Sequence, residues 1–597
     1  MVSKRNFFII IIMMLVLLFV FQFSQLAKEE LSTSYNNEYL QKDMPDSTAS
    51  WTGESSRKMV YVGKDNGKVQ ETVEKWCKYI KAELVCSNTL PSYAEVSDAS
   101  MVLIDAANLD TDSYMNTIYG FTDKGITVVF CSLPTSNELK NCYPLCKLLG
   151  ITKIPQTSVK LEGIRVFEGV FVGGEVIYKI DEDETDREKI GYQDLDLNIP
   201  WYVTAEGSKS YIVGMLDANM YAAEQFPRIV WRYTGDYTSV FAVNGDYMST
   251  DAGLGLLDLF LYESNDYALY PIVNAQSTVV VDLLAFTNEN EQTILERYSR
   301  QLEIATQDIF MPGVISLTTR NNLVPTFMMM TRYDFATEAT TDLEELPAYI
   351  RQVNNLSGEA GISLRAANAN LSQKMTYDMG MLSTYGDYYN FRAAYVDNCS
   401  EIENVDINSK IGTVVAKGGV DEVFYYLNNT VTVQQITADA TGYSFSDDFT
   451  QRSLNSALGY MSLEVDFHNV IWSDNDNYGW EGYFDVINSN ISTYWRKLNV
   501  FQNVTVSESD RRIRRFLALN YEESCDENGV ITLNVIDGNK DCYFLLRTHD
   551  KVVADIKNAD YAYIDDDSVL IHVLDDSVTI RLEDSDDVLT YSEPFTR

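Results

Sequence analysis

Three short stretches carry side chains of the types that move protons or hold a ligand. In FAVNGDYM, residues 241–248, a strand-like run ends in an Asn-Gly turn that presents Asn244 and Asp246. FRAAY, residues 391–395, supplies Arg392 and Tyr395, and VDFHNVIW, residues 465–472, supplies Asp466 and His468. Carboxylates and an imidazole at strand ends can act as general acid and base, and arginine and tyrosine donate hydrogen bonds to hydroxyls and anions. These six residues form the candidate groove, and no catalytic role is assigned to any single one.

Metal and cofactor chemistry find weaker footing. The only histidines are His468, His549 and His572, none is near a cysteine in sequence, and none of the eight cysteines forms a CxxC, so a Cys/His zinc site is not expected. Asp474 and Asp476, with Asp485 at the twelfth position, resemble the start of a calcium loop. Tyr478 stands at a ligand position there, and Asp485 replaces the bidentate glutamate, which favours an ordinary Asx-rich turn. Gly253 and Gly255 open like a dinucleotide fingerprint, but Asp258 takes the place of the third glycine, so a plain helix start is the better reading and no cofactor is implied. Cys131, in FCSLP, lacks both a GxCxG elbow and a histidine in its segment, and reads as a packed thiol at a strand end.

These residues need elements to hold them. From Met59, short apolar runs (MVYVG, SMVLIDA, ITVVFCSLP) alternate with amphipathic stretches such as VQETVEKWCKYIKA. That alternation predicts a parallel sheet wrapped by helices over residues 58–222, flavodoxin-like or amidotransferase-like. A second α/β unit over 223–522 carries seven or so strands, including SVFAVNG, GISLRAA and YMSLEVDFHNVIW, which suggests a barrel. Residues 523–597 alternate as a β-meander or small β-sandwich.

In that order, the loop of FAVNGDYM, FRAAY and VDFHNVIW resemble the first, third and fifth motifs of the polysaccharide deacetylase superfamily of NodB-type distorted barrels. The resemblance implies that Asp246 stands at the first motif, with Asn244 in place of a neighbouring catalytic carboxylate. It places Arg392 and Tyr395 at the third motif, which lacks its proline here, and Asp466 and His468 at the fifth. The family's metal is held by a His-x-x-x-His motif, and GISLRAANANLSQ, in the expected place, contains no histidine. The whole layout looks like a family of membrane-anchored proteins of Gram-positive bacteria associated with clusters for Pel-like exopolysaccharide synthesis. That likeness implies a catalytically degenerate, deacetylase-like protein of exopolysaccharide synthesis or export, which binds a polysaccharide, amino-sugar-containing by charge, beside a membrane-embedded synthase or transporter. The alternatives are an active deacetylase or glycoside hydrolase using Asp246, Asp466 and His468, and a structural partner of the synthase.

Composition and the N-terminus bound these expectations. With 46 Lys and Arg against 87 Asp and Glu, the formal charge is −41, which repels phosphate backbones and argues against nucleic-acid partners. FFIIIIMMLVLLFVF, residues 7–21, contains no polar residue, and Lys4 and Arg5 precede it. A transmembrane signal anchor over 7–26, with residues 1–6 cytoplasmic and the bulk of the chain extracytoplasmic, is the expected topology; a cleaved signal peptide is the alternative. Residues 27–57 read as a solvated linker. The 39 tyrosines cluster in the barrel segment, where their faces suit either packing or sugar rings.

Overall fold

The computed structural model describes residues 57–584 apart from 109–110, 182, 185–190, 196, 236–238, 386–388, 403–409, 473–478 and 537–539, together with residues 13–14 and 51. Along the first strand, Lys58–Val62, Met59 and Tyr61 pack into one core with helix Lys68–Ile80, while Val60 and Val62 pack into another with Ile118, Phe121 and Leu145. This period of two buries both faces, as a sheet between two layers requires.

The sheet has nine strands and is mixed, which corrects the all-parallel expectation. Glu83–Ser87, Lys58–Val62, Met101–Asp105, Thr127–Ser132 and Ser239–Val243 run parallel in that spatial order. Arg228–Thr234, Lys209–Met215, Gly163–Val166 and Val176–Lys179 then extend it antiparallel. Ser239–Val243, expected in the second unit, therefore belongs to the first. Helix Ala252–Glu263 follows and is buried nearly all round, because it lies between this sheet and helix Phe445–Leu458. A Cβ at Gly255 would come 2.8 Å from the Ser453 carbonyl oxygen, and the Gly255 amide donates to Ser453 Oγ at 2.8 Å. The glycine is there for helix contact, not for a nucleotide.

The second unit is a parallel barrel of seven strands: Ala275–Ala285, Pro325–Met330, Glu359–Ser363, Ala393–Asn398, Thr413–Gly418, a sixth in two pieces, and Tyr460–Asp466. The sixth closes it by changing partners. Thr432–Gln435 pairs with the fifth strand and Ala438–Asp439 with the seventh, which in turn pairs with the first. Val279, Val281, Met328, Ala393, Tyr395 and Val415 point inward, and helix Val506–Ala518 plugs the floor with Val506. Outside, helices such as Met311–Arg320, Leu346–Asn355 and Trp480–Thr493 pack on the alternate residues.

The C-terminal unit is a sandwich of two four-stranded antiparallel sheets. One of them recruits Ala268–Ile272 from before the barrel, paired with Cys542–Arg547. Leu269, Ile531, Leu533, Phe544, Ile571 and Ile580 fill its core.

The transmembrane element of the expected fold is also corrected. Among the described residues no helix is long and apolar enough to cross a membrane. The span expected at 7–26 falls outside those residues except for Met13 and Met14.

Arg392 sits at the floor, at the start of the fourth strand, and not at the catalytic end expected for it. Its Nη2 lies 3.9 Å from Asp510 Oδ2 on the plug helix, while Arg514 Nε donates to Asp510 Oδ1 at 2.9 Å and its Nη2 reaches the Gly412 and Thr430 carbonyls. Asp510 is fully buried. Removing one partner of such a cluster leaves uncompensated charge in a dry interior, so Asp510→Ala is expected to lower unfolding free energy by roughly 3–5 kcal/mol, read by denaturant titration.

Candidate functional site

The carboxyl ends of the barrel strands carry a cluster of charged side chains, and the alternation of each strand explains how most of them arrive. Tyr395 faces the interior, so Asp397 two residues on does the same. Val415 likewise puts Lys417 inside, and the seventh strand places Glu464 and Asp466 on one face.

Asp282 arrives differently. Val279 and Val281 point inward and Val280 outward, so regular pleating would turn Asp282 toward the helices. The ladder to the second strand is irregular between Val281 and Ala285, and Asp282 has φ of 60°, the left-handed region. Aspartate tolerates this conformation better than most residues, and the bulge re-aims its carboxyl into the mouth.

There Asp282 Oδ2 lies 2.8 Å from His468 Nδ1 and accepts from Arg365 Nη1 at 3.0 Å. Arg365, which follows the third strand, also donates from Nη1 and Nη2 to the two oxygens of Asp466, at 3.1 and 3.0 Å. Its Nε donates to Asp397 at 2.8 Å and its Nη2 to the Tyr395 hydroxyl at 3.1 Å. One guanidinium thus binds carboxylates from the first, fourth and seventh strands. Asp466 in turn accepts the His468 amide at 2.9 Å, which sets the start of the short helix His468–Ile471.

A second group continues the cluster. The Tyr395 hydroxyl donates to Glu464 Oε1 at 2.6 Å, and Lys417 pairs with Glu464 Oε2 and, at 3.2 Å, with Asp439. Burial pushes Glu464 up to about 7; Lys417 opposes this and Asp466 adds to it. Burial and the neighbouring Glu464 hold the Tyr395 phenol well above its usual value, so it stays a donor. Burial also works against the ionised forms of Asp282 and Asp397, but His468 and Arg365 for the first, and Arg365 and Tyr395 for the second, bring both below the usual carboxylate value. With Asp282 ionised, His468 Nδ1 is the ring nitrogen that donates to it, and Nε2 lies on the other side of the ring.

His468 packs between Trp472, stacked at 4.8 Å, and Tyr333, edge-on at 4.5 Å. Together with Asn288, Asp334 and Glu338 these three line a cavity of about 690 Å³ beside the ion cluster. Glu289 accepts the Tyr333 and Asp334 amides at 3.0 and 2.9 Å and so fixes the loop that forms its wall.

Of the six expected groove residues, Tyr395, Asp466 and His468 meet at the mouth. Arg392 is at the floor. Asn244 and Asp246 follow a strand of the first sheet: Asn244 is buried and ties the Pro200 and Arg228 carbonyls together, and Asp246 borders a different cavity with Asp194 and Ser446. The residues missed are Asp282, Arg365, Asp397, Lys417 and Glu464. Asp397 and Glu464 were available from spacing, each two residues from a named neighbour; Asp282 was hidden by its bulge.

A divalent metal does not fit this arrangement. Asp282, Asp397 and Asp466 are committed to Arg365 and His468 Nδ1 to Asp282, and among the described residues no group of three or more His, Cys, Asp or Glu is disposed to hold a metal ion. Asp474 and Asp476 of the calcium candidate lie outside the described residues, and Asp485 is on the exposed side of helix Trp480–Thr493. Cys131 is buried, and burial pushes its thiol well up, which suits packing.

Fold and site define a parallel barrel with an arginine-centred ion cluster at its mouth, joined to a mixed α/β unit and a β-sandwich. No family model matches the chain, and no curated protein does. Among solved structures it is similar in fold to Agd3, a carbohydrate deacetylase, at 10% identity, with 88% of this chain and 99% of that chain covered and a TM-score of 0.48. A ThuA-like protein from Bacteroides uniformis (11% identity, 36% and 94% covered, TM-score 0.25) and a beta-galactosidase from Bacillus circulans sp. alkalophilus (11%, 36% and 34%, 0.23) are similar over smaller parts.

The raised Glu464 gives a testable pH dependence. Between the ordinary glutamate value and about 7 the folded chain holds a proton on Glu464 that the unfolded chain has released, so this group's stabilisation is complete at low pH and is lost as pH rises through that window. Glu464→Gln should remove this fall, and thermal melts of both proteins across the window check it.

Proposed function

We propose that the barrel mouth is a glycan-binding site that favours cationic amino-sugar units and works without a bound metal. The observation that carries this reading is the aromatic wall of Tyr333, His468 and Trp472 on a cavity that also presents Asp334 and Glu338. Aromatic faces stack on the apolar face of a sugar ring, and carboxylates pair with an ammonium. The adjoining cluster sets three carboxylates against one guanidinium, so its residual charge is negative and attracts a cation. The −41 charge of the chain acts in the same direction.

A second reading, metal-free removal of an acetyl group, is favoured by the 2.8 Å contact between Asp282 and His468. Nε2 of His468 would take a proton from water, whose oxygen bonds to the acetyl carbon. The carbon–nitrogen bond then breaks, the proton passes to the amine, and acetate leaves. Acetate release that survives chelators and disappears in His468→Ala would support it.

The binding reading is tested by titrating the protein with glucosamine and N-acetylglucosamine oligosaccharides. Preference for the cationic series, weakening with ionic strength, and a loss of roughly two- to tenfold in Trp472→Ala are expected, since one aromatic contact contributes about 0.5–1.5 kcal/mol. Equal, salt-insensitive binding to both series, or none to either, would remove the reading.

A further inference from the structure

We infer that the cavity at the junction of the first α/β unit and the barrel is a second saccharide-binding site, which takes a neutral or cationic sugar unit against Asp246 and Tyr247. The site follows from its own geometry; the choice of a sugar as occupant also rests on the reading of the barrel mouth as a glycan site. The cavity measures about 480 Å³, within the range that encloses a small ligand. It lies at the carboxyl end of Ser239–Val243, the strand that is parallel to Thr127–Ser132 on one side and antiparallel to Arg228–Thr234 on the other. Open α/β sheets bind ligands outside the carboxyl ends of their parallel strands, and junctions between units are preferred places for pockets. The opposite wall is the first turn of helix Phe445–Leu458, which comes from the barrel.

The walls are braced to one another. Asp194 accepts the Ser446 amide at 2.9 Å, across 252 residues of sequence, and Asn244 donates to the carbonyls of Pro200 and Arg228 at 2.8 and 2.9 Å. The Tyr247 ring lies 5.3 Å from that of Phe449 on the barrel helix. Gly245 has φ of 116°, and a Cβ there would come 3.1 Å from Tyr247 Cε2, so the position favours glycine and the turn fixes Asp246 and Tyr247 at the rim. Asp246 makes no capping hydrogen bond to the short helix that follows it, so its carboxyl remains available at the cavity.

The lining selects a class of ligand. Among the described residues two carboxylates border the cavity and no lysine or arginine does, which disfavours phosphates and acidic sugars. The hydroxyls of Thr250 and Thr450 stand beside the apolar surfaces of Leu195, Pro200 and Tyr247. A sugar ring carries both kinds of surface: hydroxyls or an ammonium for the carboxylate, and a C–H face for the aromatic and apolar walls.

The experiment titrates the full-length chain with glucosamine and N-acetylglucosamine trisaccharides and locates the binding by hydrogen exchange. Trisaccharide is expected to slow exchange of the backbone amides of 244–252 and 446–450, as well as those of the mouth around Tyr333 and His468. Trp472→Ala should weaken protection at the mouth alone. Asp246→Ala should lower affinity at the cavity by about tenfold, as loss of one hydrogen bond to a charged group implies. Ser446→Trp, which fills the cavity, should abolish protection there and leave the mouth unchanged; both positions are exposed, so neither variant disturbs the core. Protection confined to the mouth, or cavity protection that survives both variants, overturns the inference and leaves the mouth reading in place. Protection confined to the cavity upholds the inference and removes the mouth reading, and protection at neither removes both.

Discussion

Closing seven parallel strands around one axis brings their carboxyl ends together, and this chain places acids on four of them. Two like charges 4 Å apart repel by about 4 kcal/mol at the effective dielectric of a protein surface, so such a mouth is untenable without cations inside it. Arg365 and Lys417 are those cations. Each binds acids from more than one strand, so each fixes the position of strand ends relative to one another and neutralises charge at the same time. The geometry of the cavity depends on this, because Asp466 sets the His468 amide and His468 carries the stacked Trp472.

The floor also pairs buried charges of opposite sign. Arg392 and Arg514 meet buried Asp510, buried Glu359 also acts on Arg392, and Arg514 Nη2 donates to the carbonyls of Gly412 and Thr430 near the starts of the strands. Between floor and mouth the interior is a short apolar column of Val279, Val281, Met328, Val415 and Val506. Charge is thus confined to the two ends, and the column between them is dry and well packed, which keeps the mouth from relaxing when its charges are perturbed.

Much of this could be read from the sequence, and the failures have specific physical causes. The barrel, the α/β unit and the β-sandwich follow from periodicities that burial enforces. The misassigned strand Ser239–Val243 has the same apolar alternation as a barrel strand; what decides its sheet is its partner Thr127–Ser132, a contact across more than a hundred residues that no local pattern encodes. Reading Asp246 as the first acid followed from that error. Tyr395, Asp466 and His468 lie on regular strand ends, where the period of two is reliable. Asp282 breaks the period and so could not be placed by it, and Arg365 lies two residues beyond the end of the strand Glu359–Ser363, where the period no longer holds.

That arginine also separates two regions of the mouth. A guanidinium with its donors spent on three carboxylates and a phenol has little left for another partner, so the ion cluster forms a wall, and the cavity proposed to take a glycan lies beside it. His468 belongs to both regions: Nδ1 is bound to the cluster, and the opposite side of the same ring borders Tyr333 and Trp472. A displacement of Asp282 therefore reaches the cavity through the orientation of this imidazole, while the charges of Asp282 and Arg365 also act directly on Tyr333. Among the described residues, His468 is the side chain that joins Asp282 on one edge to the aromatic wall on its faces, and so links the ion cluster to the cavity.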